Sequence, residues 1–538
     1  MNAPDLIEEH NKHIAADYDR TPYVSNAFAY SAPGHLRATA HLYGIETVPL
    51  KQARVLELGC AAGGNLLPFA LAYPAATAVG VDLSPVQIAQ GQEVVRDLGL
   101  KHMRLHAMDL AQITPDFGQF DYIIAHGVFS WVPPEVKQAM LRICRENLSP
   151  LGIAYISYNT YPGWKAGDVV RDAMTLHCHG AQSEEERLGR AKAMLHMLCE
   201  GLASSHGMGG AIQQMAASLG KQSDYYIAHE YLERFNTPCY LVEFADVATQ
   251  AGLAYVGDAE AFSEVPANYG SNVQLQLSLM ALGQSKVMRQ QYLDFAVGRN
   301  FRKSLLVHQE RGDAIAALPR REALRELRWA GKFTSYEDEH VDKEFRSYRG
   351  PGNRSLHTRD AGVMALVETL TAAWPQSLDY AQVLEHMRER LAPLDDEALR
   401  KQADEALERL YSMGMLRQAL EPSPYDAVGA RGAQPLPGYV YLQRRAQEPG
   451  FALGTTNFWH ESIRLETIEA QTWLLEHAQD GLDRKAAVAM LAKALQQGTV
   501  KGPGGQSLQG QRNLEPLAQR IAGELLRAMH DNGLLLKG

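Results

Sequence analysis

The sequence predicts an α/β fold built around a doubly wound parallel sheet, and three observations support that prediction. Residues 55–69, VLELGCAAGGNLLPF, join a buried strand to a glycine-rich turn and a helix. Acidic residues end three successive predicted strands. Strands alternate with helices over roughly 110 residues, which is typical of parallel sheets that bind ligands at the carboxyl ends of their strands.

The glycine-rich turn indicates a nucleotide site without identifying the nucleotide. Gly59, Ala61 and Gly64 fit the pattern G-x-G-x-x-G with alanine in the middle, which would also suit a dinucleotide. Glu57, two residues before the first glycine, would repel a pyrophosphate by roughly 4 kcal/mol at about 4 Å and an effective dielectric constant near 20. A ligand with a cationic amino acid end and no phosphate meets no such repulsion, so the sequence favours S-adenosylmethionine.

The next two strands add acids that fit the same ligand. TAVGVDLSPVQIAQ predicts a strand ending at Asp82, followed by Ser84 as helix N-cap and Pro85 at the first helical position. Asp82 could accept both ribose hydroxyls, and Asp109 in MRLHAMDLAQI could accept from the adenine amino group. Each acid alone could instead cap a turn, so the prediction depends on the three acids together.

The fourth and fifth predicted strands, in FDYIIAHGVFSWVPPEV and GIAYISYNTYPGW, supply candidate catalytic residues. His126 ends the fourth strand, where its backbone carbonyl could meet the methionine ammonium and its ring could act as a base. Trp131 and Tyr158 follow these two strands, and Tyr23 lies in the N-terminal arm. We expect the three aromatic side chains to wall an acceptor channel, with ordinary core packing as the alternative.

These motifs resemble, in order and spacing, those of the class I S-adenosylmethionine-dependent methyltransferases. The stretches DYDRTPYVSNAFAYS, SYNTYPGWKAGDVVRDAM and QYLDFAVGRNFRKSLLVH are similar to the bacterial methyltransferases with a methyltransferase regulatory domain, which include the rickettsial protein lysine methyltransferases. The resemblance implies a Rossmann-like seven-stranded sheet, S-adenosyl-L-methionine as cofactor, a protein lysine acceptor and a homodimer. The implied cofactor-binding residues are Glu57, Gly59, Cys60, Ala61, Gly63, Asn65, Asp82, Leu83, Gln87, Asp109, Leu110, His126 and Gly127.

Two of these positions need comment. Ala61 stands where the family usually has its second glycine, and we expect slight crowding without loss of binding. Asn65 could either cap the first helix or bind the methionine carboxylate.

The pattern of elements also predicts the domain organisation. Residues 164–236 are helix-patterned and interrupt the methyltransferase sheet, as a lid or as a dimerisation element. The C-terminal third repeats a unit of three helices and a short strand, which suggests a winged helix used twice. The predicted segments are an N-terminal arm over the cofactor site (1–45), the methyltransferase core (46–163), the helical insertion (164–236), completion of the core and regulatory region (237–310), a linker (311–358), a winged-helix-like domain (359–425), a linker (426–445) and a second winged-helix-like domain (446–538).

Composition argues against several kinds of partner. The longest apolar run, residues 66–83, is broken by two prolines, and the acidic, polar N-terminus does not resemble a signal peptide. Five scattered cysteines form no C-x-x-C pair, so we expect no metal site, no disulfide framework and a cytoplasmic location. Residues 360–421 contain twelve acidic and six basic side chains, and the whole chain carries a formal charge of −10. Such charge opposes nucleic-acid binding and favours protein docking.

Three functions are compatible with the sequence. The first is methylation of protein lysine, the second is small-molecule N- or O-methylation with C-terminal units that only dimerise, and the third is a non-enzymatic cofactor sensor. Apart from Tyr158, every predicted site residue lies at or before Trp131. We therefore expect the C-terminal units to be separable from cofactor binding.

The acids at the strand ends predict a ligand preference. S-adenosylhomocysteine should bind more tightly than NAD, because Glu57 and Asp109 suit a cation-bearing adenosine ligand and repel a pyrophosphate. Calorimetric titration with both ligands measures the difference. Tighter binding of NAD would show that the glycine-rich turn is a dinucleotide site.

Overall fold

The computed structural model describes residues 24–232, 235–425, 434–477 and 484–536. The candidate residue Tyr23 and the first half of the predicted arm lie outside this part of the chain. Within it, no helix is both long and apolar enough to cross a bilayer.

The central element is a seven-stranded sheet, as predicted. Its strand order is β3-β2-β1-β4-β5-β7-β6, in which β7 runs antiparallel to both of its neighbours. The strands are β1 (Arg54–Leu58), β2 (Thr77–Asp82), β3 (Met103–Ala107), β4 (Phe120–Ala125), β5 (Leu148–Asn159), β6 (Leu253–Asp258) and β7 (Phe301–His308). Because β1 to β5 are parallel, Glu57, Asp82, Asp109 and His126 all lie near the carboxyl edge of the sheet.

Helices cover both faces of this sheet. The helices up to residue 297 are α1 (Pro33–Leu42), α2 (Leu67–Ala72), α3 (Pro85–Asp97), α4 (Pro134–Asn147), α5 (Lys165–His177), α6 (Glu184–Glu200), α7 (Gly209–Leu219), α8 (Asp224–Tyr231), α9 (Leu241–Gln250), α10 (Ser271–Met280) and α11 (Lys286–Val297). Of these, α5 to α8 belong to the insertion and not to the layers on the sheet. Strand β4 is buried at every residue, so its alternating side chains enter two separate cores. Tyr122 and Ile124 pack on one face with Tyr155, whereas Ile123 packs on the other with Tyr158.

The predicted insertion is helical throughout its regular elements. Helices α5 to α8 enclose a core of their own, which includes Val170, Leu195 and Ile212. Ser183 caps α6 by accepting from the backbone N–H of Glu186, and three glutamates occupy the first turn. Its use as a lid or a dimer contact remains a prediction.

The predicted linker at residues 311–358 is instead folded. It contains β8 (Arg328–Ala330) and a three-stranded antiparallel sheet of β9 (Thr334–Tyr336), β10 (Arg346–Arg349) and β11 (Ser355–Thr358). Trp329 at the centre of β8 has no exposed surface, and its indole N–H donates to the Leu324 carbonyl at 2.9 Å. The segment thus contains more regular structure than a linker with an edge hairpin at most, and the polar residues around Trp329 gave no local sign of its burial.

The first C-terminal unit consists of α12 (Ala361–Ala373), α13 (Tyr380–Arg390), α14 (Asp396–Ser412) and β12 (Arg417–Ala419). Asp360, Asp379 and Asp395 each cap one of these helices. The partner of β12 is β8, which precedes the helices, so this pairing differs from a hairpin wing after the third helix. The winged-helix assignment remains a prediction.

The second unit also places three helices before a short strand, but a further short helix precedes them. Its strand β13 (Gln434–Pro435) and helix α15 (Tyr439–Arg445) occupy described parts of the predicted linker 426–445, while residues 426–433 lie outside the described chain. Helices α16 (Glu469–His477), α17 (Arg484–Gln497) and α18 (Glu515–Asp531) follow, and β14 (Leu535–Leu536) pairs antiparallel with β13. The prediction of two similar units remains a prediction.

A buried ionic network fixes β7 to the surrounding elements. Arg302 has no exposed surface, and its guanidinium donates to both carboxylate oxygens of Asp294 at 2.7 Å and to Glu264 at 3.2 Å. Tyr43 on α1 donates to the other oxygen of Glu264 at 2.7 Å. The network therefore joins α1, α11 and β7 behind the carboxyl edge of the sheet.

Replacement of Arg302 tests how much this network contributes to stability. Arg302→Leu should lower the free energy of unfolding by about 3–5 kcal/mol, because it removes the bidentate partner of buried Asp294 and a charged donor to buried Glu264. Asp294 then keeps Arg299, and Glu264 keeps Tyr43. Urea unfolding measures the change. The exposed pair of Arg346 and Glu368, at 3.5 Å, provides a control, since Arg346→Leu should cost less than about 1 kcal/mol. Equal costs would contradict the role given to the buried network.

Candidate active site

The acids of the second and third strands shape the turns beside them. Asp82 accepts from the backbone N–H of Ala61 at 2.8 Å and from that of Ser84 at 2.9 Å. Asp109 accepts from the backbone N–H of Ala111 at 2.8 Å, which caps a short 3-10 turn. Both acids thus have the turn-capping role that the sequence left open, at the sheet edge where ligand contacts were also predicted.

The glycine-rich turn has three residues in left-handed conformations. Gly59 and Gly63 have φ values of 73° and 81°, and Ala61 between them has a φ of 50°. The missing glycine therefore costs backbone strain of about 1 kcal/mol, in addition to the crowding that the sequence predicts. At Gly64, a Cβ atom would lie 2.1 Å from the carbonyl oxygen of Ser25, so close approach of the N-terminal arm requires glycine there.

Glu57 presents an unsatisfied acceptor at this edge. The side chain is 3% exposed, and its Oε1 accepts from the Asn65 amide at 2.8 Å. Oε2 is buried without a hydrogen-bond partner among the described residues. Burial raises the pKa of this carboxyl group to about 8. A cationic donor is the group that would satisfy Oε2 and favour the charged form.

Asn65 connects three distant parts of the chain. Its Oδ1 accepts from the backbone N–H of Phe28 at 3.0 Å and from the Ser31 hydroxyl at 3.2 Å. Its backbone carbonyl lies 2.7 Å from Nε2 of His460. We call these residues, together with Glu57, the Asn65 junction. The suggestion that Asn65 caps a helix is wrong, because α2 begins after Leu66 without a side-chain cap and the Asn65 amide is held by Glu57.

His126 lies in a cluster of aromatic rings. Its ring centroid is 4.0 Å from that of Phe28, 5.5 Å from Tyr30 and 6.1 Å from Phe301. Nδ1 lies 3.0 Å from the hydroxyl of Tyr155. We call these five residues the aromatic cluster. Burial, together with nearby Lys303, lowers the pKa of His126 to about 3, so the ring is neutral and a weak proton acceptor. This finding corrects the expectation that its ring acts as a base.

The other two described aromatic candidates have different surroundings. Tyr158 is 1% exposed, stacks on Phe244 at 4.3 Å and shares a hydrogen bond with Ser304 at 3.0 Å. Its proposed place in an acceptor channel is wrong, because alternation along β5 directs Tyr155 and not Tyr158 towards His126. Trp131 lies in a 3-10 turn after β4 and is partly exposed, so its role in the channel remains a prediction.

The remaining predicted cofactor residues lie along the same edge. Gln87 is 1% exposed, and its Oε1 has no hydrogen-bond partner among the described residues. The Gly127 backbone N–H donates to the Ser157 hydroxyl at 2.8 Å. Leu83 follows β2, Leu110 follows β3, and Cys60 is 3% exposed with a thiol pKa raised well above its usual range by burial. Their contacts with a cofactor remain predictions.

An ion pair lies beside the aromatic cluster. Lys303 on β7 pairs with Glu260, which follows β6, and its Nζ lies 4.7 Å from the ring centroid of Tyr30. The two side chains are 13% and 28% exposed. Burial opposes the charge of Glu260, but Lys303 nevertheless lowers the pKa of its carboxyl group below the ordinary value. The ammonium of Lys303 therefore lies between a carboxylate and the rings of Tyr30 and Phe301.

The sequence did not indicate several of these residues. Ser25 and Lys303 lie within stretches that resemble the family but were not singled out as site residues, and Glu260 and His460 lie outside the quoted motifs. Ser25 accepts from the Gly64 backbone N–H through its hydroxyl at 2.8 Å. His460 brings the second C-terminal unit into contact with Asn65, so the expectation that these units are separable from cofactor binding remains a prediction that this contact opposes. Within the described residues, no cluster of three or more histidine, cysteine or acidic side chains could hold a metal ion.

Comparison with known proteins places these features in a family. Residues 55–152 match the family described as a methyltransferase domain, and residues 223–308 match a predicted methyltransferase regulatory domain. The chain is 39% identical over 311 residues to uncharacterized protein RP789 of Rickettsia prowazekii, a match that covers 58% of this chain and 55% of that protein. The chain thus spans about half the length of this relative. It is 36% identical over 244 residues to uncharacterized protein RP028 of the same organism, covering 45% of this chain and 96% of that protein.

A solved structure has the same fold over nearly the whole chain. PKMT2 from Rickettsia typhi, in complex with AdoHcy, superposes with a TM-score of 0.81 at 24% sequence identity. The match covers 96% of this chain and 100% of that one. The helical insertion and the C-terminal units are therefore included in the shared architecture.

The raised pKa of Glu57 predicts a pH dependence of stability in the ligand-free protein. The carboxyl group titrates at about 8 when folded and at 4.5 ordinarily, so its favourable contribution is complete below pH 4.5 and is lost as the pH rises towards 8. Glu57→Gln has no carboxyl group at this position, so its stability should not fall for this reason as the pH rises. The difference in unfolding free energy between variant and wild type should grow by up to about 1.4 kcal/mol per pH unit across that range. Urea unfolding of both proteins at pH 5 and pH 8 measures this difference. A difference in unfolding free energy that is the same at both pH values would contradict the raised pKa of Glu57.

Proposed function

The chain belongs to the class I S-adenosylmethionine-dependent methyltransferases that carry a methyltransferase regulatory domain, and we propose that it methylates lysine side chains of a protein. The similarity to rickettsial protein lysine methyltransferases supports this acceptor. The cofactor supplies a methyl group on a sulfonium, which is already activated for in-line displacement. The residues of this chain must therefore position the cofactor and the acceptor amine.

The residues at the carboxyl edge of the sheet suit the cofactor. The unsatisfied Oε2 of Glu57 would accept from the ammonium of the methionine end. Asp82 and Asp109 would accept from the ribose hydroxyls and the adenine amino group, respectively. Because an adjacent ammonium favours the charged carboxylate, cofactor binding should lower the pKa of Glu57.

The pairing of Lys303 with Glu260 beside Tyr30 is the observation that carries the lysine proposal. A carboxylate and aromatic rings that accommodate one lysine ammonium have the chemistry to bind another, since aromatic faces and carboxylates both attract cations. We propose that the acceptor lysine displaces Lys303 from Glu260 on entry. Glu260 would then orient the incoming amine beside the aromatic cluster.

The acceptor amine must lose a proton before it can attack the methyl group. From an ordinary lysine pKa near 10.4, this costs about 4 kcal/mol at neutral pH. The partly buried rings of Phe28, Tyr30 and Phe301 would reduce that cost, because exclusion of water disfavours the ammonium. The same rings would attract the methylated product cation.

Small-molecule N- or O-methylation is the alternative. An experiment with labelled S-adenosylmethionine distinguishes a protein acceptor from a small-molecule acceptor. The enzyme and the labelled cofactor are incubated with cell lysate, which is then separated into protein and metabolite fractions. Label recovered as methyl-lysine after protein hydrolysis is the expected result. Label confined to the metabolite fraction would favour the alternative.

Replacement of either partner of the ion pair should change acceptor binding in opposite directions. Glu260→Gln should raise the apparent KM for the protein fraction by about tenfold, because it removes a charged partner worth about 1.4 kcal/mol. Lys303→Met should lower that KM, because it removes the competing ammonium. Affinity for S-adenosylhomocysteine should stay within about twofold in both variants.

An exposed acid provides the matched control for this pair of variants. Glu326 pairs with His41 at 2.7 Å and is 53% exposed, so Glu326→Gln should leave the kinetics unchanged. An unchanged KM in Glu260→Gln would remove this carboxylate from acceptor binding. A raised KM in Lys303→Met would show that Lys303 assists the acceptor and does not compete with it.

A further inference from the structure

We infer that His460 positions the glycine-rich turn at residues 59–66, here called the cofactor loop, so that the second C-terminal unit forms part of the cofactor site. The predicted effect on cofactor affinity rests on the proposed function, whereas the predicted effect on the protection of this loop does not. His460 is 8% exposed, and its Nε2 lies 2.7 Å from the carbonyl oxygen of Asn65 and 3.3 Å from Oδ1. Both oxygens are acceptors, so Nε2 carries the hydrogen and donates it.

His460 is supported by contacts from both C-terminal units. Its φ is 61°, a left-handed conformation that is uncommon for residues other than glycine, and its backbone N–H donates to the Asn457 carbonyl at 3.1 Å. The Asn457 amide donates to Glu461 at 2.7 Å, and Glu461 pairs with Arg417 on β12. Such strain persists only where the surrounding contacts hold it.

The segment around His460 also holds the N-terminal arm against the cofactor loop. The backbone N–H of Ser25 donates to the Ala452 carbonyl at 2.7 Å. The backbone N–H of Ala27 donates to the Ser462 hydroxyl at 3.0 Å, and that hydroxyl donates to the Ala27 carbonyl at 3.1 Å. At Gly454, a Cβ atom would lie 2.6 Å from the side chain of Asn26, so the segment and the arm are in close contact.

The contacts of His460 lead to both parts of the proposed site. Through the Asn65 amide they reach Glu57, the expected partner of the cofactor ammonium. Through Asn65 Oδ1 they reach Phe28, whose ring lies 4.0 Å from His126 in the aromatic cluster. A partner bound to the C-terminal units could therefore change cofactor affinity, and by linkage the cofactor would change affinity for that partner.

Two replacements of His460 separate hydrogen bonding from packing. His460→Leu removes the donor, whereas the amide of His460→Gln can place an N–H near the position of Nε2. Because neither residue is glycine, both carry the same backbone strain. We expect His460→Leu to weaken binding of S-adenosylhomocysteine by about tenfold and His460→Gln by no more than about threefold, as measured by calorimetry. His477→Leu, at an exposed position on α16, is the control and should bind like wild type.

Hydrogen exchange provides the readout that does not depend on the proposed function. In the ligand-free protein, residues 59–66 should lose protection in His460→Leu and keep it in His460→Gln. Loss of protection there would support the inference even if no methyl transfer were detected. The inference is overturned if His460→Leu lowers only the unfolding free energy, without a change in loop protection or affinity, or if both variants behave alike.

Discussion

The hydrogen bond between the Asn65 amide and Glu57 is the interaction on which the site depends. It holds a buried carboxyl group at the carboxyl edge of the sheet with one oxygen satisfied and the other free of described partners. The cost of burying that group is reflected in its pKa of about 8. A site that retains such a cost in the ligand-free state is suited to a ligand that brings a positive charge.

The same asparagine explains why a long chain surrounds a small cofactor. Its side-chain oxygen and backbone carbonyl take donors from the arm and from the second C-terminal unit, so three segments share one residue. The arm and the second C-terminal unit are therefore joined through the residue that also holds Glu57. This arrangement suits a large acceptor, because a protein docked on the C-terminal units could influence the loop that holds the cofactor.

Local patterns predicted the sheet and its acids, but not the contacts between distant segments. Glu57 and Asp82 lie at the ends of β1 and β2, and Asp109 follows β3. Short apolar runs in the sequence mark these buried strands, so the shared edge of the three acids could be predicted. Tyr158 was predicted to follow the fifth strand, whereas β5 continues to Asn159 and holds this side chain against Phe244. Strand boundaries are the part of a fold that sequence patterns define least well. His460 lies 395 residues from Asn65, and no local pattern reveals a contact of that separation.

The proton balance of cofactor binding tests the central claim most directly. Calorimetric titrations of S-adenosylhomocysteine at pH 7, in buffers with different ionisation enthalpies, report the number of protons released. If the ammonium binds Glu57, the carboxyl group with a pKa of about 8 must ionise, and the wild type should release most of one proton. Glu57→Gln should release almost none. If the wild type releases no protons on binding, the claim that Glu57 binds the cofactor ammonium is contradicted.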